Sequence, residues 1–287
     1  MGYLLAVTLL WAFSFSLIGV YLAGQVDAWF SVLMRIALAT LVFLPFLKFK
    51  KTPKGLAIKL MLIGAIQLGA MYSFYYHSFL YLSVPEVLLF TVMTPIYITL
   101  LNDALEKHFN PRFFVIAIIA VCGALAIRYE SINSNFLIGL LLVQAANICF
   151  ATGQVTYKHL MSNTRLDHKT VFGWFFIGAL IVATVCYVLF GNSDKLPSTP
   201  TQWGVLVYLG VVASGLGYFG WNKGATLVNV GALAAMNNLL IPAGIIVNVL
   251  IWNTEADLIR LSIGGGIILA ALLLDQKSHH DRGKCSN

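Results

Sequence analysis

The sequence predicts an all-α membrane protein of ten transmembrane helices, built as two inverted five-helix repeats with both termini cytoplasmic. Three observations lead there. Of the 287 residues, 59% are hydrophobic and only 10% charged, against about 25% charged in soluble domains. The few charges gather in short segments between apolar runs, and the cations favour alternate segments. Small and aromatic residues recur at a constant offset between the two halves.

The apolar runs come first. A bilayer core asks for about 20 apolar residues per helix, and polar breaks divide the first half into runs at 3–22, 29–47, 57–80, 84–101 and 113–127. The second half divides at 136–157, 171–190, 203–221, 232–252 and 261–274. The first run lacks a positive n-region and a small-residue cleavage site, so it reads as a retained helix. Placing the N-terminus in the cytoplasm puts 14 of the 18 Lys and Arg on that side, from Lys48 to Lys284, and leaves only Arg128, Lys195 and Arg260 opposite. That asymmetry is what the positive-inside rule requires.

The repeat is read from Gly64, Gly69 and Tyr72, which return as Gly210, Gly215 and Tyr218, an offset of 146 that also pairs Val84 with Val230. One inserted residue then pairs Pro95 with Pro242, and an offset of 137 pairs Gly2, Leu4, Leu5 and Phe13 with Gly139, Leu141, Leu142 and Phe150. The halves are taken as 1–128 and 135–276, followed by a polar cytoplasmic tail at 277–287. With an odd number of spans in each, the second half inserts upside down relative to the first, which puts a binding site near the midplane between them.

Three groups of residues could carry chemistry. Arg35 interrupts an apolar run about 9 Å inside the second span, and a charge at that depth needs a partner or a water-filled cavity. Three readings stay open: an ion pair with Glu86 at the start of the fourth span, contact with an anionic substrate, or snorkelling to headgroups. Glu86 is also the one obvious proton site. Amides within spans suit a polar uncharged ligand group, and Gln67 and Asn147, near mid-span, with Asn237 and Asn238, just before the Pro242 and Gly244 break, are the better ligand candidates. Any single one could instead be an interhelical hydrogen bond. Of the aromatics, Trp11 lies too deep for an interfacial belt and needs a partner for its indole N–H. Phe13, Tyr72, Tyr218 and Trp221 join it as candidate substrate contacts.

Other classes lose ground. A nucleic-acid reading of the net charge of +7 requires a soluble basic surface, and here the cations lie in membrane loops. The four cysteines and six histidines show no ligand spacing, so neither a metal nor a cofactor is expected. An embedded enzyme would need a nucleophile with its base or paired carboxylates at depth, and no HExxH or GxSxG occurs. A secondary carrier of small molecules is the economical reading.

Particular stretches then bring a family into view: LLWAFSFS at 9–16, LLFTVMTPIYITL at 88–100, GLLLVQ at 139–144, GVVASGLGYFGWNKGAT at 210–226, MNN at 236–238 and PAGIIVN at 242–248. Across nearly the whole chain the sequence resembles the drug/metabolite transporter superfamily with two EamA-type repeats, in its carboxylate, amino acid and amine branch, and within that the enterobacterial biotin carriers. The resemblance implies a monomeric multi-pass carrier in the bacterial inner membrane, with biotin uptake as its task and the lipid bilayer as its surroundings. Carriage or export of amino acids is the alternative. A concentrative carrier without ATPase machinery is expected to couple to H+ or Na+.

Overall fold

The computed structural model describes residues 1–107, 134–162 and 164–252. Among them there are eight helices long and apolar enough to cross a membrane and no strand. They are α1 (Gly2–Leu22), α2 (Ala28–Phe46), α3 (Lys54–Ser78), α4 (Val84–Leu105), α5 (Ser134–Ser162), α6 (His168–Phe190), α7 (Pro200–Thr226) and α8 (Val230–Trp252). Each coincides with an expected run to within a few residues. The expected spans at 113–127 and 261–274 lie outside the described residues.

Local chemistry sets the helix starts. Asp27 accepts the Phe30 backbone N–H at 2.7 Å and Asp167 accepts that of Lys169 at 3.1 Å, satisfying N–H groups that a first turn otherwise leaves unpaired. The Glu86 carboxylate accepts from the Ser83 N–H at 2.8 Å and its hydroxyl at 2.7 Å at the head of α4. Pro95, which lacks an N–H, follows a short 3-10 turn at Thr91–Met93 that separates the two α-helical parts of α4.

Two helices are widened at corresponding places. Residues Ala65–Ala70 of α3 and Tyr208–Leu216 of α7 are π-helical, and moving the first by the repeat offset of 146 lands it inside the second. A π turn shifts the backbone bonding by one residue and rotates every later side chain around the axis. Beside these turns the helices approach closely. A Cβ on Gly64 would strike the Phe175 backbone, one on Gly178 would strike that of Met61, and one on Gly210 would lie 2.7 Å from Leu38 Cβ. Thus α3 packs on α6, and α7 on α2, through glycine contacts.

The outward surface is apolar, as a bilayer solvent requires. Leu41, Leu141, Val188 and Leu250 are all exposed. The interior holds Trp11, Tyr72, Tyr218 and Trp221 together with the amides Gln67, Asn147, Gln154 and Asn237.

Candidate functional site

A cavity of about 80 Å³ opens inside the bundle, bounded by α1, α2, α3, α4, α5, α7 and α8. Six of the residues singled out from sequence line it: Trp11, Arg35, Tyr72, Asn147, Tyr218 and Asn237. Ser14, Thr91, Thr94 and Phe150 also line it.

Arg35 is 2% exposed. Its Nε donates to Ser214 Oγ at 2.6 Å and to the Leu209 carbonyl at 3.2 Å, and Nη1 donates to Tyr76 Oη at 3.1 Å. The guanidinium carbon stands 4.2 Å from the centre of the Tyr72 ring, a cation–π contact. Both Leu209 and Ser214 belong to the π-helical segment of α7, so the wide turn supplies the solvation that water gives an exposed cation. The same segment holds Trp11, whose indole N–H donates to the Ala213 carbonyl at 2.8 Å. Tyr72 Oη lies 2.9 Å from Ser214 Oγ.

Of the three readings of Arg35, the ion pair with Glu86 is not formed: the two side chains take different partners. The hydrogen bonds of Arg35 run to neutral hydroxyl and carbonyl groups, while the Glu86 carboxylate turns back onto Ser83 at its own helix end. Snorkelling is also replaced, because the head group points into the bundle. The cation therefore reaches the cavity with its charge unneutralised by a carboxylate among its hydrogen-bond partners.

Four expected residues lie elsewhere. Phe13 is 40% exposed on the outer surface, and its repeat counterpart Phe150 is the one that lines the cavity. Gln67 is wholly buried beneath Gly153, with neither amide atom hydrogen-bonded among the described residues. Trp221 forms the layer behind Trp11, its ring centre 5.0 Å away, and donates to Gln154 Oε1 at 2.9 Å. Asn238, next to Asn237 in the chain, is rotated off the lining.

Residues missed in the sequence carried weak signals. Ser214 follows Ala213 in the repeat segment, Thr91 and Thr94 flank the break before Pro95, and Tyr76 was one of several tyrosines. Tyr76 also borders a second pocket, of about 140 Å³, at the end of the bundle where Asp27, His77 and Lys195 meet.

The chemistry on offer is recognition. A buried cation, amides, hydroxyls and aromatic faces all line the one cavity. Among the described residues no group of His, Cys, Asp and Glu could hold a metal ion.

Known proteins resemble the chain over nearly its whole length. The EamA-like transporter family matches the chain twice, over residues 1–129 and 137–274. A probable biotin transporter of Pseudomonas aeruginosa is 51% identical over 278 residues, covering 96% of this chain and 97% of that protein. Biotin transporters of Salmonella typhimurium and Escherichia coli are 49% and 48% identical, each covering 96% of this chain and 93% of their own. One solved crystal structure shares the fold at 16% identity, with a TM-score of 0.65 over 94% of this chain and 93% of its own.

Proposed function

Because this chain belongs to the EamA-like transporter family, we propose that it is a biotin carrier working in the direction of uptake, with Arg35 receiving the carboxylate of the substrate. It is a multi-pass protein of the bacterial inner membrane and a transporter, not an enzyme. The observation that carries the reading is the cavity-lining guanidinium: Nε and Nη1 are committed to the protein, while Nη2 makes no hydrogen bond among the described residues. An anion entering a low-dielectric cavity needs such compensation, and a guanidinium binds carboxylate directionally.

In this proposal ten spans form two inverted repeats, 1–128 and 135–276, with both termini cytoplasmic and residues 277–287 as a tail. The recurrence of the π turns supports that plan, as does the placing of Gly64 and Gly210 at corresponding helix crossings. The carrier acts as a monomer and couples uptake to a gradient of H+ or Na+. Glu86 stays a candidate proton site, acting from its place at the head of α4. Purified protein in proteoliposomes should accumulate labelled biotin when one of these gradients is imposed. Retention no greater than in protein-free vesicles under either gradient would overturn the proposal.

A further inference from the structure

The two asparagines that line the cavity are held in the same way. Asn147 Nδ2 donates to the Phe90 carbonyl at 2.9 Å and to Gln144 Oε1 at 3.1 Å. Asn237 Nδ2 donates to the Leu233 carbonyl at 2.7 Å and to Gln154 Oε1 at 3.4 Å. Turning either amide over would set its oxygen against a backbone carbonyl oxygen, so the hydrogen-bond network decides the orientation. Each therefore spends its donors on the protein. An amide has two donors and an oxygen with two lone pairs, and what remains of each is the oxygen.

Thr91 adds a third acceptor of the same kind, since its hydroxyl proton goes to the Leu88 carbonyl at 2.6 Å. All three line the same cavity, from α4 and from the α5 and α8 helices that both pack against it. Arg35 stands on α2, which packs against α3, α6 and α7. The cavity thus receives a donating cation from α2 and accepting neutral groups from α4, α5 and α8. Ser14 Oγ, buried and without a hydrogen-bond partner among the described residues, also lines it.

We propose that Thr91, Asn147 and Asn237 form a subsite that accepts hydrogen bonds from ligand N–H groups, so that a substrate lies with its carboxylate on Arg35 and an N–H-bearing ring against α4, α5 and α8. A cyclic urea meets these acceptors with two N–H donors, and its carbonyl can take the hydroxyl proton of Ser14. A ring bearing only acceptor atoms places oxygen against oxygen there and leaves buried lone pairs unpaired, which is how a polar site rejects a near-isostere. This inference rests on the biotin reading above, because biotin joins a cyclic urea to a carboxylate through an apolar chain.

The test compares equilibrium binding of biotin with that of its cyclic carbonate analogue, in which oxygen replaces both ureido N–H groups. Purified wild type, Asn147→Ala and Asn237→Ala are measured, with biotin methyl ester as a reference for the Arg35 contact. Wild type should prefer biotin over the carbonate by at least about tenfold. Each alanine variant should lose most of that preference while keeping the preference of acid over ester. Equal binding of biotin and carbonate by wild type would overturn the subsite, and this arm stands even if the variants do not fold. Folded variants that retain the full preference would overturn it too, since other groups would then be reading the N–H. Wild type that binds neither compound would instead remove the biotin reading itself.

Discussion

Replacing Arg35 with alanine tests the buried cation most directly. The guanidinium is buried, it holds three hydrogen bonds to α3 and α7, and its Nη2 makes none among the described residues. A hydrogen bond to a charged group contributes about 1.5–3 kcal/mol, and every 1.4 kcal/mol is about a factor of ten in affinity. Arg35→Ala should therefore weaken biotin binding by about 10-fold to 150-fold. The methyl ester, which carries no charge, should lose far less. Arg35→Lys should fall in between, because an ammonium keeps the charge but cannot serve Ser214, Tyr76 and a carboxylate with one planar fork. The assay is equilibrium binding of acid and ester to each purified variant, with folding verified by its melting transition. The Ser214 and Tyr72 hydroxyls already lie within hydrogen-bond distance of one another, so the variant retains a partner for Ser214. An acid-to-ester ratio unchanged between wild type and Arg35→Ala would refute an electrostatic role for Arg35 in carboxylate selection.

Three further outcomes follow from the same structure. Gly64→Ala would press a methyl group into the Phe175 backbone and should cost about 1–3 kcal/mol or more by overpacking, read as a lower melting temperature. Gly55→Ala, with no atom within 4 Å of the added Cβ, is the control, and equal melting of the two would contradict the close crossing. Trp11→Phe keeps an aromatic face but deletes the bond to the Ala213 carbonyl; a loss of about 1 kcal/mol in stability is expected, and unchanged thermal unfolding would show that this bond contributes nothing. In intact cells, an impermeant thiol reagent should label a cysteine placed at Lys195 and spare one at Lys54, and the reverse pattern would invert the proposed orientation.

Much of the architecture was readable along the chain. Eight of the expected runs correspond to described helices because a membrane span needs length and hydropathy, and both are local properties. Arg35 stood out for a related reason: a charge within an apolar run has no place in lipid and must be received by the protein. Trp11 and Asn147 drew notice as aromatic and polar groups near mid-span, Tyr72 and Tyr218 by their matching repeat positions, and Asn237 by its place before Pro242 in the sequence; all five line the cavity.

Which side of each helix turns inward was decided only by tertiary structure. A soluble helix announces its buried face by alternating with a polar one, but α1 carries no charged side chain on any face, with Phe13 toward the surface and Trp11 toward the cavity. The pair Phe13 and Phe150 shows the consequence, since equivalent repeat positions differ in burial and only the second reaches the site. Gln67 and Asn147 are both buried amides, yet one lies under Gly153 and the other on the cavity wall. The partners of Arg35 were hidden for a different reason. Leu209 and Ser214 lie 174 and 179 residues away, on a helix whose π turns rotate its face. Linear spacing cannot reveal which carbonyl a widened turn will present, because that depends on the neighbouring helix against which the turn is packed.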